Sequence, residues 1–130
     1  MTIRKSHADY LEAIYVLQGR SGLVRSVDVA RHLGFSKASV CTMLSVLIER
    51  GYIEKSDAPP YALALTETGS RIAAEVYERH CWFRDELVRA GVDGGTAERE
   101  ACELEHAISA ESFSLLRRAQ EDRRSPGPNA

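Results

Sequence analysis

SVDVARHLGFSKASVCTMLSVLIERG, residues 26–51, holds two helical patterns separated by a single glycine. Ser26 is placed to cap a short helix, Val27–Leu33, that ends at Gly34, and Ser36 is placed to cap a second. In the second, Val40, Met43, Leu44, Leu47 and Ile48 fall on one stripe of a 3.6-residue period, and Gly51 stops it. Two capped helices joined by a tight glycine turn predict a helix-turn-helix.

The flanks extend the pattern. Upstream, Ser6 with Asp9 three positions later reads as an N-terminal capping pair, followed by Tyr10, Leu11, Ile14, Tyr15, Val16 and Leu17 at helical spacing. This predicts a helix over His7–Gln18, broken by Gly19 and Gly22. Downstream, Tyr52–Lys55 and Tyr61–Leu65 flank the turn-forming residues Asp57, Pro59 and Pro60, which predicts a hairpin. A helix-turn-helix followed at once by a hairpin is a winged helix. Thr66 then caps a long predicted helix, Glu67–Arg89, with Gly91 beyond its end. A fifth helix is expected over Thr96–Ile108 and a sixth, after Ser109, over Ala110–Ala119. The fold class expected is mainly α: a winged helix-turn-helix in 1–66, a helical domain in 67–120, and a disordered tail in 121–130 that carries Arg-Arg-Ser-Pro-Gly-Pro.

The chain has 130 residues, 44% of them hydrophobic and 28% charged, with a formal net charge of -2. That length suits one domain or two small subdomains and excludes a barrel of eight βα units. The charge excludes an indiscriminate nucleic-acid coat, so any DNA contact must be local. It divides unevenly: residues 1–70 hold 8 Lys plus Arg against 7 Asp plus Glu, and residues 71–130 hold 9 against 12. The N-terminus MTIRKSHADY shows no apolar leader, and Cys41, Cys81 and Cys102 are irregularly spaced, so a cytoplasmic protein with reduced thiols is expected. Charges interrupt every apolar run before the roughly 20 residues of a bilayer span, so no membrane partner is expected.

A recognition helix offers its first-turn side chains to base edges in the major groove of double-stranded DNA. Here those side chains are Ser36, Lys37, Ser39 and Thr42, with Lys37 suited to a phosphate; Arg25 and Arg31 could also touch phosphate, and Lys55 sits in the wing. The same polar residues would also serve as a plain solvated helix face.

A second constellation is built from ligand-type residues. Asp9 and Glu12, at i and i+3, project from one face of the first helix. Cys102, Glu105 and His106, at i, i+3 and i+4, place a thiol, a carboxylate and an imidazole on one face of the fifth. Singly these have ordinary readings: a helix-start charge, a small core thiol, a hydrogen-bonded core histidine. Together they offer enough mixed donors for a five- or six-coordinate divalent ion. His80 and Glu98 could serve a second ion.

With these residues in place, the chain resembles the metal-dependent repressors typified by the diphtheria toxin repressor and the manganese transport regulator. The resemblance runs from about Ser6 to Phe113 through DYLEAIY (9–15), DVARHLG (28–34), SKASV (36–40), LTETG (65–69), Arg79-His80 and EACELEHAIS (100–109). It implies a homodimer that binds a palindromic operator when Mn2+ or Fe2+ is bound, one or two ions per subunit, and that represses metal-uptake genes. It further implies that Asp9 and Glu12 match the ligands of manganese-type members, Cys102 that of iron-type members, and Glu105 and His106 those of both. His80 matches a second-site ligand, but Arg84 stands where the family has Glu, and Glu98 where iron-type members have His. Because the match ends where iron-type members continue into a linker and a small barrel, no C-terminal barrel domain is expected.

Two other readings belong to different classes. One is a winged-helix regulator answering a small molecule or thiol oxidation at Cys81 or Cys102. The other is a metal-dependent hydrolase, against which stands the absence of an HExxH motif or a nucleophile elbow. The expectation is a regulator and not an enzyme.

Overall fold

A computed structural model describes residues 3–124, which form six helices and a two-stranded sheet. The elements are α1 Lys5–Ser21, α2 Ser26–Leu33, α3 Lys37–Glu49, β1 Ile53–Lys55, β2 Leu63–Leu65, α4 Glu67–Arg89, α5 Gly94–Ala107 and α6 Ala110–Arg124. They fall into two compact units that divide between Tyr77 and Glu78, inside α4.

In the first unit, Tyr10, Leu11 and Ile14 of α1, Val29 and Ala30 of α2, and Val40, Leu44 and Leu47 of α3 form one buried cluster with Ile53, Leu63 and Ala73. Burying each large aliphatic side chain contributes about 1.5–3 kcal/mol, and that contribution fixes the angle at which α3 is presented. The presence of Ala73 in the cluster explains why the first turns of α4 go with this unit.

Gly34 makes the turn between α2 and α3. Its φ of 74° is one that L side chains rarely adopt, and its N–H bonds Ala30 O at 2.9 Å to close α2. The wing pairs antiparallel, Ile53 with Leu65 and Lys55 with Leu63. Leu63 N also bonds Val24 O at 2.7 Å, so the segment between α1 and α2 adds a bridge to the wing that the sequence did not announce.

Thr66 joins the wing to α4. Its hydroxyl donates to Gly51 O at 2.7 Å and accepts from Gly69 N at 3.1 Å, the cap expected of it. Gly69 then passes so close to Tyr52, directly ahead of β1, that a Cβ there would lie 2.0 Å from its main-chain oxygen.

In the second unit, Phe113 of α6 packs edge-on to Trp82 of α4, with centroids 5.6 Å apart, and beside Phe83 at 6.0 Å. The buried side of α5 carries the small residues Ala97 and Ala101.

Several boundaries differ from expectation. The first helix was expected over His7–Gln18 and spans Lys5–Ser21. Ser6 does not cap it: Ser6 lies inside the helix, and Asp9 pairs with Lys5 at 3.2 Å across one turn. Ser26 is not the cap of α2 either, because Asp28 accepts from Arg25 N at 2.8 Å and moves the start back by one residue. The fifth helix starts at Gly94 and not Thr96, since Asp93 accepts from Thr96 N at 3.0 Å, and it ends at Ala107 because Ile108 is extended.

The sixth helix does not end at Ala119. Residues 121–124, expected to be disordered, continue it, held by Arg117 to Glu121 at 3.7 Å and Arg124 to Glu86 at 3.5 Å. The rest of the expected tail, 125–130, lies outside the described residues.

Candidate metal centre and nucleic-acid interface

The donors of the second unit converge. His80 sits two-thirds of the way along α4, and Cys102 and Glu105 are one turn apart on α5. His80, Cys102 and Glu105 each offer a ligand atom within 4.8 Å of the others. Glu105 has no solvent exposure and His80 only 5%.

A carboxylate so buried must be compensated. His80 Nδ1 lies 3.2 Å from Glu105 Oε2, and His106 Nε2 lies 3.1 Å from Oε1. Arg79 Nε donates to the main-chain oxygen of Glu105 at 3.1 Å. Burial pushes the Glu105 carboxyl upward, but the paired imidazoles of His106 and His80 outweigh it and hold the group below the usual carboxylate range. His80 is shifted well above an ordinary histidine by the Cys102 thiol first and by Glu105 next, with burial opposing and Glu98 adding to the rise.

One imidazole, one thiol and one buried carboxylate, with a second imidazole on that carboxylate, are a donor set suited to a mid-row divalent ion. The residues therefore fit a bound ion.

Glu98, expected as a donor, sits one turn before Cys102, with Oε2 on His80 Nε2 at 2.8 Å and Oε1 on Arg84 Nη1 at 3.3 Å. Asp9 and Glu12 lie on one face of α1 in the first unit, both half-buried, as their spacing foretold. Sequence reasoning did not single out Arg79 for a role on Glu105. Its position before His80 was the available signal.

On the first unit, Arg25, Lys37 and Lys55 border one open hollow of about 310 Å3, together with Cys41 and Tyr61. Arg25 just ahead of α2, Lys37 at the start of α3 and Lys55 at the end of β1 thus line one face. Ser36 caps α3 by accepting from Ser39 N at 3.2 Å, and its hydroxyl bonds that of Ser39 at 3.0 Å. Thr42 Oγ1 donates to Ala38 O at 3.0 Å. These hydroxyls are thereby oriented by their own helix, and each keeps at least one acceptor lone pair.

Arg31 does not border that hollow: it pairs with Asp28 at 4.0 Å, as Arg25 does at 3.7 Å, and with Arg25, Leu17 and His32 it borders a second one. Tyr61, 48% exposed at the wing with a φ of 60°, was missed by sequence reasoning, which took it only as the start of a strand.

The three cysteines form no disulfide. Among the described residues, no helix is long and apolar enough to cross a membrane.

Comparison with known proteins covers nearly the whole chain. The model of the iron dependent repressor N-terminal DNA-binding domain matches residues 3–58, and that of the iron dependent repressor metal binding and dimerisation domain matches residues 66–124. The transcriptional regulator MntR of Escherichia coli is 35% identical over 120 residues, covering 88% of this chain and 76% of its own. An uncharacterised HTH-type transcriptional regulator of Methanocaldococcus jannaschii is 32% identical over 115 residues, covering 87% and 90%. Among solved structures, a manganese-dependent transcriptional repressor in complex with manganese superposes with a TM-score of 0.74 at 27% identity. That match covers 85% of this chain and 50% of the other, so the chain spans about half the length of that neighbour.

Proposed function

The chain belongs to the iron dependent repressor family of metal-dependent, DNA-binding transcriptional regulators that act as homodimers, and we propose that its own ion is Mn2+ or Fe2+. The observation that carries this is the fully buried Glu105 carboxylate faced by His80 and His106, with the Cys102 thiol within 4.8 Å of both Glu105 and His80. We assign Cys102, Glu105, His106 and His80 as donors from the second unit. Asp9 and Glu12 are assigned as donors from α1, on their match to family ligands.

When bound, a divalent ion supplies positive charge that offsets the buried carboxylate and thiolate. Carboxylates favour Mn2+, and the sulfur of Cys102 draws the preference toward Fe2+ and softer ions. In the dimer the bound ion fixes the two DNA-reading heads, which sets the spacing of the two α3 helices for successive major grooves. Arg25, Lys37 and Lys55 are assigned to phosphates, and Ser36, Ser39 and Thr42 to the groove.

Val88, Leu104, Leu115 and Leu116, exposed on α4, α5 and α6, are the apolar surface we assign to the partner copy. Promoters of metal-uptake genes are the proposed targets, and the cytoplasm the proposed location.

The test is operator affinity measured with Mn2+, with Fe2+ and in chelator. Affinity should rise with the ion and vanish in chelator. Equal affinity without metal, and in a Glu105→Ala, His106→Ala double variant, would overturn the switch and favour a regulator that answers another signal.

A further inference from the structure

Glu98 and Arg84 form a pair that suits a purpose other than holding a second ion. Both carboxylate oxygens of Glu98 are engaged by the protein itself, Oε2 by His80 Nε2 at 2.8 Å and Oε1 by Arg84 Nη1 at 3.3 Å. Arg84 is fixed from its other side, where Nε and Nη2 each lie 3.1 Å from Asp85 Oδ1. His80 and Arg84 are four residues apart on α4, so imidazole and guanidinium reach the same carboxylate from one helix face. The remaining ring nitrogen of His80, Nδ1, faces Glu105 Oε2 at 3.2 Å.

A guanidinium keeps its charge throughout the working pH range and donates in a fixed plane. A divalent ion seated on Glu98 would meet that charge at ion-pair distance, in a site where part of the carboxylate is already taken. A histidine that donates one ring N–H to a carboxylate has its tautomer and orientation set, and presents the other nitrogen to a metal.

We infer that Arg84 stands in place of an ion on Glu98: its guanidinium neutralises Glu98, and Glu98 orients His80 so that Nδ1 is directed to the ion shared with Cys102 and Glu105. This rests on the metal-dependent reading above. No ion then sits on Glu98, and Arg84 and Glu98 are positioning residues that do not touch the metal.

Equilibrium dialysis of the full chain against Mn2+ alone tests this. Arg84→Lys, which keeps the charge, should bind as many ions per subunit as the unaltered chain. Arg84→Glu should bind one more, and Arg84→Gln, which removes the charge with less disturbance, should admit one more, weaker ion. Glu98→Gln should keep the count of the unaltered chain but with affinity reduced about ten- to a hundredfold, the usual effect of losing a partner that orients a ligand. A count unchanged in both Arg84→Glu and Arg84→Gln would overturn the inference and leave the metal-dependent reading standing, and so would an unchanged affinity in Glu98→Gln. No bound ion in the unaltered chain would overturn both.

Discussion

His80 and Glu105 face each other across the interior of the second unit, Nδ1 to Oε2 at 3.2 Å, with Glu105 wholly removed from solvent. A ligand held by the folded chain alone stabilises it by about 2.7 kcal/mol at one hundred times its dissociation constant. Urea unfolding of the unaltered chain in Mn2+ at that excess should show this gain over unfolding in chelator. Glu105→Gln keeps the shape of the side chain and removes the charge, and should show almost none of it. An equal gain in the variant would mean that the ion is held elsewhere.

Cys102 is the soft donor of the set. Replacing it with a carboxylate, Cys102→Glu, should raise the ratio of Mn2+ to Zn2+ affinity by about tenfold or more, because thiolate favours the softer ion. Competition dialysis with the two ions reads the ratio directly. A ratio that stays the same would remove the thiol from the coordination.

Lys37 borders the same hollow as Arg25 and Lys55. Lys37→Ala should weaken operator and random DNA alike and reduce the slope of log affinity against log salt by about one. Loss of operator binding alone, with random DNA unaffected, would instead assign Lys37 to a base edge.

Asp93 caps α5, and its acceptance of bonds from the main chain and then the hydroxyl of Thr96 holds its carboxyl below the usual range. The folded value is thus lower than the unfolded value of about 3.9. The stabilisation is fully present above that value and is lost as pH falls through the folded one. Asp93→Ala should lower stability at neutral pH, with the difference from the unaltered chain shrinking below about pH 4. Urea midpoints measured from pH 2 to 7 follow it, and a difference constant across that range would contradict the ionised cap.

Gly69 has no room for a side chain, since a Cβ would lie 2.0 Å from the main-chain oxygen of Tyr52. Gly69→Ala should therefore cost about 1–3 kcal/mol through displaced backbone, although alanine is the better helix former. A stabilised variant in thermal or urea unfolding would contradict the close approach.

The elements most legible in the sequence are those whose signals are local. The apolar stripe of α3 and its Ser36 cap, the Thr66 cap and the span of α4 follow from spacing and side-chain oxygens near in sequence. Where two local caps compete, sequence alone chooses badly. Ser26 and Asp28 both suit the start of α2, and the carboxylate prevails. The end of α6 was hidden because Arg-rich, apolar-poor sequence resembles a solvated tail, while its support comes from Glu86, far away in the chain.

At the centre, helical spacing put Cys102, Glu105 and His106 on one face of α5. It could not tell which oxygen of Glu98 meets which cation, because that depends on how α4 lies against α5.

A single hydroxyl, that of Thr66, ends the wing and begins α4, bonded to Gly51 on one side and Gly69 on the other. No spare residue separates the two elements, so the wing and the first turn of α4 are pinned to one another, and neither can shift without breaking a bond to Thr66.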